Sequence, residues 1–172
     1  MESRTKLFGH PVHPILIVFP LGLLATSVIF DVIYLLTGHA DLSEVAYWLI
    51  VAGILGGVVS APFGLIDWLA IPAGTRAKRI GAWHGMGNVV VLLLFALSWY
   101  MRANAAGPPE PFAYVYAFLG AALALLTGWL GGELVDRLGV GVDSGAHPDA
   151  PSSLSGRPAH EHVSVERQAE NP

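Results

Sequence analysis

The chain has 172 residues, of which 53% are hydrophobic and 13% are charged, against roughly 25% charged residues in a typical soluble domain. A soluble domain of this length cannot bury so much apolar surface, because a small fold has a large surface relative to its volume. With a mean hydropathy of +0.56, these values exclude an ordinary soluble globule and favour a small membrane protein. The net charge of −4 gives no reason to expect nucleic-acid binding, and the absence of cysteine excludes disulfides and thiolate ligands.

Four long apolar segments, separated by short stretches rich in Gly and Pro, occupy most of the chain. Each is about as long as the 20 residues that a helix needs to cross a bilayer. We predict an all-α integral membrane protein, a four-helix transmembrane bundle with up-down-up-down topology. The expected spans are 14–36, 45–70, 80–101 and 111–134, inside a transmembrane domain over 1–142. Residues 143–172, rich in Pro, Ser, His and acidic residues, are expected to form a disordered cytoplasmic tail.

The distribution of Lys and Arg predicts the orientation of the spans. Cytoplasmic loops of membrane proteins carry an excess of these residues, and here they precede the first span, fill the second loop and follow the fourth span. The basic residues concerned are Arg4, Lys6, Arg76, Lys78, Arg79 and Arg137. We therefore expect both termini and the second loop to be cytoplasmic, with membrane lipid around the four spans.

Small residues recur at four-residue spacing in the second and fourth predicted spans. Because lipid offers no hydrophobic force between helices, such stripes let helix backbones approach closely. We expect them to pack helices inside the bundle, and they are also compatible with a homo-oligomer. The residues are Gly53, Gly57, Ala61, Gly120, Ala124, Gly128 and Gly132.

Ionisable side chains beside or within the spans are the main functional signal, since they are costly at membrane depth and usually face the bundle interior. Measured from the middle of each span at about 1.5 Å per residue, four of them lie roughly 10 to 18 Å toward the cytoplasmic side, and His10 lies slightly further out. Asn88 shares a helical face with one of them, His84, four residues away. Asp31 is the exception, about 9 Å on the outer side. The four are His84, Asp67, Glu133 and His13.

Each of these side chains also has a structural interpretation. His10 and His13 would anchor the start of the first helix, and a helical turn there would bring both rings to one side. Asp67 would pair with Arg76 or Arg79 of the second loop. The remaining structural interpretations are hydrogen bonds between helices for Asp31, Asn88 and His84, and an interfacial charge for Glu133.

A double His-Pro motif, Gly9-His10-Pro11-Val12-His13-Pro14, opens the first span. Over about residues 7–142 the chain resembles the predicted bacterial membrane proteins grouped as domain of unknown function 2231. The resemblance also rests on Phe19-Pro20, Asp31, Gly64 to Asp67, His84 with Asn88, and Gly131 to Val135 leading to Gly139 to Val142. Asp136 and Leu138 stand where the family pattern often has Tyr and His. Relatives are sometimes joined to Rieske or c-type cytochrome domains, which implies a redox setting with a partner protein of that kind. We expect the chain to lie in the bacterial inner membrane.

The first functional hypothesis is a redox-linked subunit that binds haem b. Haem held between helices needs two imidazoles from facing helices, and His84 on the third helix would pair with His10 or His13 on the first. Asn88 completes the candidate cofactor site. The straight-helix estimate separates His13 from His84 by roughly 8 Å in depth.

Two other hypotheses remain open. A divalent Zn, Fe or Mn ion would be held by a mixed His and carboxylate set, and a metal-dependent membrane hydrolase would use a carboxylate of that set as base. Alternatively, the chain is a non-catalytic membrane anchor or assembly subunit whose polar cluster is structural. Because the chain has no His-Glu-x-x-His motif and no Ser-centred nucleophile elbow, we expect a role other than catalysis. The candidate metal ligands are His10, His13, Asp67, His84 and Glu133.

Overall fold

Four long helices dominate the computed structural model, which describes residues 1–105 and 107–162. All four are long and apolar enough to cross a membrane, as predicted. Even the shortest, with 22 residues, measures about 33 Å at 1.5 Å per residue, against a hydrocarbon core of about 30 Å. The helices are α1 (Val12–Thr37), α2 (Ala40–Ala70), α3 (Arg76–Ala103) and α4 (Pro111–Gly132), and a π-helical turn at Glu133–Arg137 continues α4.

The ends of the helices follow from local chemistry. Gly38 stops α1 with φ of 75°, a left-handed conformation in which its N–H donates to the Tyr34 carbonyl. Thr75 starts α3, since its hydroxyl accepts from the Lys78 N–H at 3.1 Å. Pro111 opens α4, where its missing N–H costs nothing. The short connections make successive helices antiparallel, which gives the predicted up-down-up-down bundle.

A small hairpin precedes α1 and is a feature that the sequence analysis does not anticipate. Strands β1 (Lys6–Leu7) and β2 (His10–Pro11) pair antiparallel, with Leu7 opposite His10. The two residues between them, Phe8 and Gly9, have φ of 50° and 84°. Positive φ at both central positions is the geometry of a tight turn that matches strand twist.

The helices pack as two pairs. Contacts are most extensive between α1 and α2 and between α3 and α4, and they are fewer between α2 and α3 and between α1 and α4. Small residues allow the close approach, because a Cβ on Gly53 would lie 2.6 Å from the Leu24 side chain and one on Gly120 would lie 2.9 Å from Phe95. Gly128, also in the predicted stripe, faces open space. The buried core consists of Leu24, Ile50, Val91, Phe95 and Ala117.

Large apolar side chains cover the outside of the bundle. Leu36 is 80% exposed and Leu125 is 77% exposed. In water such a surface would be unfavourable, whereas in lipid it is the expected exterior of a small bundle. Several polar side chains of the spans are instead buried, among them Ser27, Asp31, Ser98 and Thr127.

The segment predicted to be a disordered tail is described only as far as residue 162, and residues 163–172 lie outside the described residues. Its described part contains turns and one three-residue 3-10 helix, Ser153–Ser155. Lys6 pairs with Asp143, and the Gly141 N–H donates to the Met1 carbonyl at 2.8 Å. The start of this segment therefore lies against the N-terminal residues.

Candidate functional site

A buried ion pair joins α1 to α3 near their C-terminal ends. Arg102 donates Nη1 to Asp31 Oδ1 at 2.8 Å and Nη2 to Oδ2 at 2.6 Å, and the two side chains are 2% and 0% exposed. Arg102 Nε also donates to Ser98 Oγ at 3.2 Å, and its guanidinium carbon lies 4.9 Å from the centre of the Tyr114 ring. A bidentate carboxylate–guanidinium pair is stronger and more directional than a neutral hydrogen bond. Asp31 is thus a contact between helices, as one interpretation predicted, and its partner is an arginine.

His84 lies between α3 and α4. Its Nδ1 is 2.8 Å from the Thr127 carbonyl oxygen, and because a carbonyl only accepts, Nδ1 carries the proton. The ring reaches this oxygen across Gly131, where a Cβ would lie 3.1 Å from the His84 Cε1 atom. The neutral ring therefore has its lone pair on Nε2.

Asn88 links the same two helices. Its Nδ2 donates to the His84 carbonyl at 2.9 Å and lies 3.3 Å from His84 Nε2. Its Oδ1 accepts from Thr127 Oγ1 at 3.1 Å. Asn88 and His84 are thus on one face, as predicted, and both act on the same residue of α4.

His13 has an equivalent environment between α1 and α2. Its Nδ1 lies 3.1 Å from the Ser60 carbonyl oxygen, and the ring lies over Gly64, where a Cβ would be 2.8 to 3.1 Å from three ring atoms. As for His84, the carbonyl fixes the proton on Nδ1 and leaves the lone pair on Nε2.

The ion pair also sets the heights of the two histidines. Asp31 lies 18 residues after His13, and Arg102 lies 18 residues after His84. Since Asp31 and Arg102 are in contact, each ring lies about 27 Å of helix from the same point. On this straight-helix count the two residues have similar depths, whereas the span midpoints predict a difference of roughly 8 Å.

The carboxylates of the predicted cluster are engaged elsewhere. Both oxygens of Asp67 lie within 2.8 Å of Ser3 Oγ, and Oδ1 also accepts from the Arg4 N–H at 2.8 Å. Arg76 pairs with Glu133 at 2.6 Å. The predicted pairing of Asp67 with Arg76 or Arg79 is therefore wrong, because the N-terminal segment folds back and takes up this carboxylate.

His10 is separate from the other histidines. It is exposed on β2, and its Nε2 lies 3.3 Å from Ser153 Oγ. The prediction that His10 and His13 share a helical face is wrong, because the chain is extended at His10 and helical only from Val12.

The donor set bears directly on the cofactor hypotheses. Among residues 1–105 and 107–162, no group of three or more His, Cys, Asp or Glu side chains is placed to hold a metal ion. Zinc sites in proteins are usually built from three or four protein ligands. Haem needs only two axial ligands from the protein.

Sequence reasoning misses Arg102, Ser98 and Thr127. Arg102 looks like a loop residue because it ends the third apolar run, and the two hydroxyl residues are unremarkable within apolar helices. A signal for Arg102 is nevertheless present. It follows His84 at the same interval at which Asp31 follows His13, so α1 and α3 carry opposite charges at matching positions.

Comparison with known protein families gives a match that covers most of the chain. A family model described as "Predicted membrane protein (DUF2231)" matches residues 9–144. No curated protein matches the chain, and no solved structure matches it. The matched region contains all four helices, both interhelical histidines and the ion pair.

Proposed function

Since the chain belongs to the DUF2231 family of predicted membrane proteins, we propose that it is a non-catalytic membrane anchor or assembly subunit whose polar side chains tie its helices together. One observation carries this proposal. Asp31 and four ionisable side chains of the predicted cluster have separate partners within the protein, and these partners lie on different elements. The contacts are Asp31 with Arg102, Glu133 with Arg76, Asp67 with Ser3, His13 with Ser60 and His84 with Thr127.

The energetic reason for such ties is the membrane itself. Lipid supplies no hydrophobic force between helices, so packing of small residues and hydrogen bonds must hold them. Polar groups satisfied by one another also specify a single arrangement of the helices. A stable bundle with a largely apolar exterior would then anchor or assemble other proteins at the membrane.

A visible spectrum and an elemental analysis test this proposal. The full chain is expressed with ample haem and metal, purified in mild detergent, and recorded with and without dithionite. The proposal predicts no Soret band and no stoichiometric zinc, iron or manganese. Either a Soret band or a stoichiometric metal that is lost in His84→Ala would overturn it.

A redox-linked haem subunit is the second candidate, and the geometry of the two imidazoles favours it. His13 and His84 lie at matching heights, and a backbone carbonyl holds each Nδ1–H, which is how proteins commonly orient a histidine ligand. Haem bound there would carry one electron at a time, and His13 and His84 would be the residues that hold it, with Asn88 positioning the His84 ring. A Rieske or c-type cytochrome-like protein would be the partner. A Soret band that shifts on reduction and disappears in both His13→Ala and His84→Ala would support this function.

We further propose that the protein lies in the bacterial inner membrane with both termini in the cytoplasm, on the basis of its Lys and Arg distribution. The chain has no cysteine, so single cysteines report position without background. Arg79→Cys, in the first turn of α3, should react with a membrane-impermeant maleimide only after permeabilisation. Asn104→Cys, at the other end of α3, should react in intact cells, and the reverse pattern would overturn the orientation.

A further inference from the structure

The first and third helices carry matching residues at a constant separation of 71 positions. His13 corresponds to His84, and Ser27 corresponds to Ser98. Both serines are fully buried. Asp31 corresponds to Arg102, and Leu24 corresponds to Phe95, which are two members of the central core.

The second and fourth helices match at a separation of 67 positions. Ala46 and Ala113 are both fully buried, as are Ile50 and Ala117. The other corresponding pairs are Tyr47 with Tyr114, Gly53 with Gly120, Ser60 with Thr127, and Gly64 with Gly131.

The contacts correspond as well as the residues. In the first pair of helices, His13 Nδ1 contacts the Ser60 carbonyl, with the ring over Gly64, and the Leu24 side chain packs against Gly53. In the second pair the same roles fall to the corresponding residues, with His84 at the Thr127 carbonyl across Gly131, and Phe95 against Gly120. The Ser60 hydroxyl also donates to the Gly57 carbonyl, and the Thr127 hydroxyl donates to the Ala124 carbonyl, in each case three residues earlier in the chain.

We propose that the bundle consists of two copies of one helical hairpin related by a pseudo-two-fold axis along the bundle, and that the Asp31–Arg102 pair selects the association of the two unlike hairpins. The N-terminal hairpin is α1 with α2, and the C-terminal hairpin is α3 with α4. Since α1 and α3 run in the same direction, the relation is a rotation about the bundle axis. This inference concerns how the halves recognise each other and does not depend on the proposed function.

The ion pair explains the selectivity. Asp31 and Arg102 occupy corresponding positions and are in contact, so they lie on the pseudo-two-fold axis. In a two-fold dimer of identical hairpins, a residue on the axis contacts the same residue of the other copy. Two N-terminal hairpins would oppose Asp31 to Asp31, and two C-terminal hairpins would oppose Arg102 to Arg102, both buried. Like charges at a buried contact disfavour the wrong pairing, whereas the unlike hairpins form a bidentate pair. The surface of each hairpin therefore fits the other hairpin of the chain, and not a second copy of itself.

The surroundings of the pair also allow a test by exchange. Arg102 uses Ser98 and Tyr114 of its own hairpin, and the N-terminal hairpin has Ser27 and Tyr47 at the corresponding positions. An arginine at position 31 would therefore find the same kind of partners, and an aspartate at position 102 would complete the pair.

The experiment compares the full-length chain with Asp31→Arg, Arg102→Asp and the double exchange D31R/R102D, measured by the monomer peak on size-exclusion chromatography and the thermal midpoint. Each single variant buries two like charges, so its monomer peak should fall roughly tenfold or more. The double exchange should recover at least half of the wild-type peak. A double exchange no better than the worse single variant would overturn the proposal.

A second exchange keeps the test independent of charge. Leu24→Phe with Phe95→Leu exchanges corresponding core residues, and it should recover most of the thermal midpoint lost in either single change. Ile50→Phe with Phe95→Ile exchanges two fully buried residues that do not correspond, so it should not recover. Equal recovery in both exchanges, or recovery in neither, would contradict the pseudo-two-fold relation.

Discussion

At the scale of single residues, the arginine at the end of α3 is the strongest determinant of how the helices meet. Arg102 neutralises Asp31 in a place where both side chains are almost inaccessible. Taking a charge out of water is costly, and most of that cost returns when its partner is removed. Removal of one partner therefore destabilises the protein mainly because it leaves the other charge buried without a counter-charge.

Arg102→Met should lower the free energy of unfolding by about 3 kcal/mol, because it leaves the Asp31 carboxylate buried without a counter-charge. Asp31→Asn combined with Arg102→Met should cost less than the single change, since no charge remains. Thermal unfolding followed by circular dichroism in detergent measures both. A double variant less stable than Arg102→Met would contradict this account of the pair.

Two glycines matter for the histidine contacts in a similar way. A Cβ at Gly64 would press on the His13 ring from 2.8 Å, whereas Gly128 faces open space. Gly64→Ala should therefore cost about 1–3 kcal/mol through overpacking. Gly128→Ala, on the lipid side of α4, should be neutral or slightly stabilising because alanine favours helix. Comparison of the two thermal midpoints checks this, and equal effects would show that the ring does not depend on Gly64.

At the scale of elements, the residues around the β1–β2 hairpin contact the segment that follows α4. Lys6 of β1 contacts both Glu2 and Asp143. The hydrogen bond from Lys6 lowers the pKa of Glu2 below its usual 4.5, and the hydrogen bond to Asp143 raises the pKa of Lys6 above its usual 10.5. The contribution of Glu2 to the stability of the folded protein is present above pH 4.5 and is lost as pH falls through the lowered pKa. The contribution of Lys6 to the stability of the folded protein is present below pH 10.5 and is lost as pH rises through the raised pKa.

An NMR titration of the Glu2 carboxyl carbon measures this contact directly. The midpoint should lie below 4.5 in the wild-type chain and should return toward 4.5 in Lys6→Met, because the hydrogen bond from Lys6 is the main cause of the lowered pKa. Arg4→Met serves as the control, since only the backbone of Arg4 takes part in a described contact there. An unchanged midpoint in Lys6→Met would show that Lys6 does not contact the Glu2 carboxylate.

The elements themselves were largely predictable from sequence, but their ends were less so. The apolar segments predict α1 and α3 to within a few residues, because a span must be both apolar and long. Helix α2 begins at Ala40 instead of the predicted 45, since Asp41 suits the first turn of a helix even outside the apolar run. The hairpin around Phe8 and Gly9 was not predictable from hydropathy, because it depends on a two-residue turn and on pairing across it.

At the scale of the whole molecule, composition predicts the class of fold but not which polar groups meet. Depths estimated from the span midpoints predict that the His and carboxylate residues lie together at one end of the bundle. In the structure the carboxylates instead contact Ser3 and Arg76, and the histidines contact backbone carbonyls. Such choices depend on helix rotation and on the path of the N-terminal segment, and hydropathy reports neither. The repeat of 71 positions between α1 and α3 is the sequence feature that carries this information.

The central claim is that the polar side chains tie the helices together, and His84 tests it most directly. The measurement is the thermal midpoint of His84→Ala in protein that is free of haem and metal, with the exposed His10→Ala as control. A tie between α3 and α4 predicts that His84→Ala loses about 1–2 kcal/mol, or roughly 2–8 °C, while His10→Ala stays at the wild-type value. A His84→Ala midpoint equal to that of the wild type would contradict the account, because a residue kept only to bind a ligand adds nothing to the stability of the ligand-free protein.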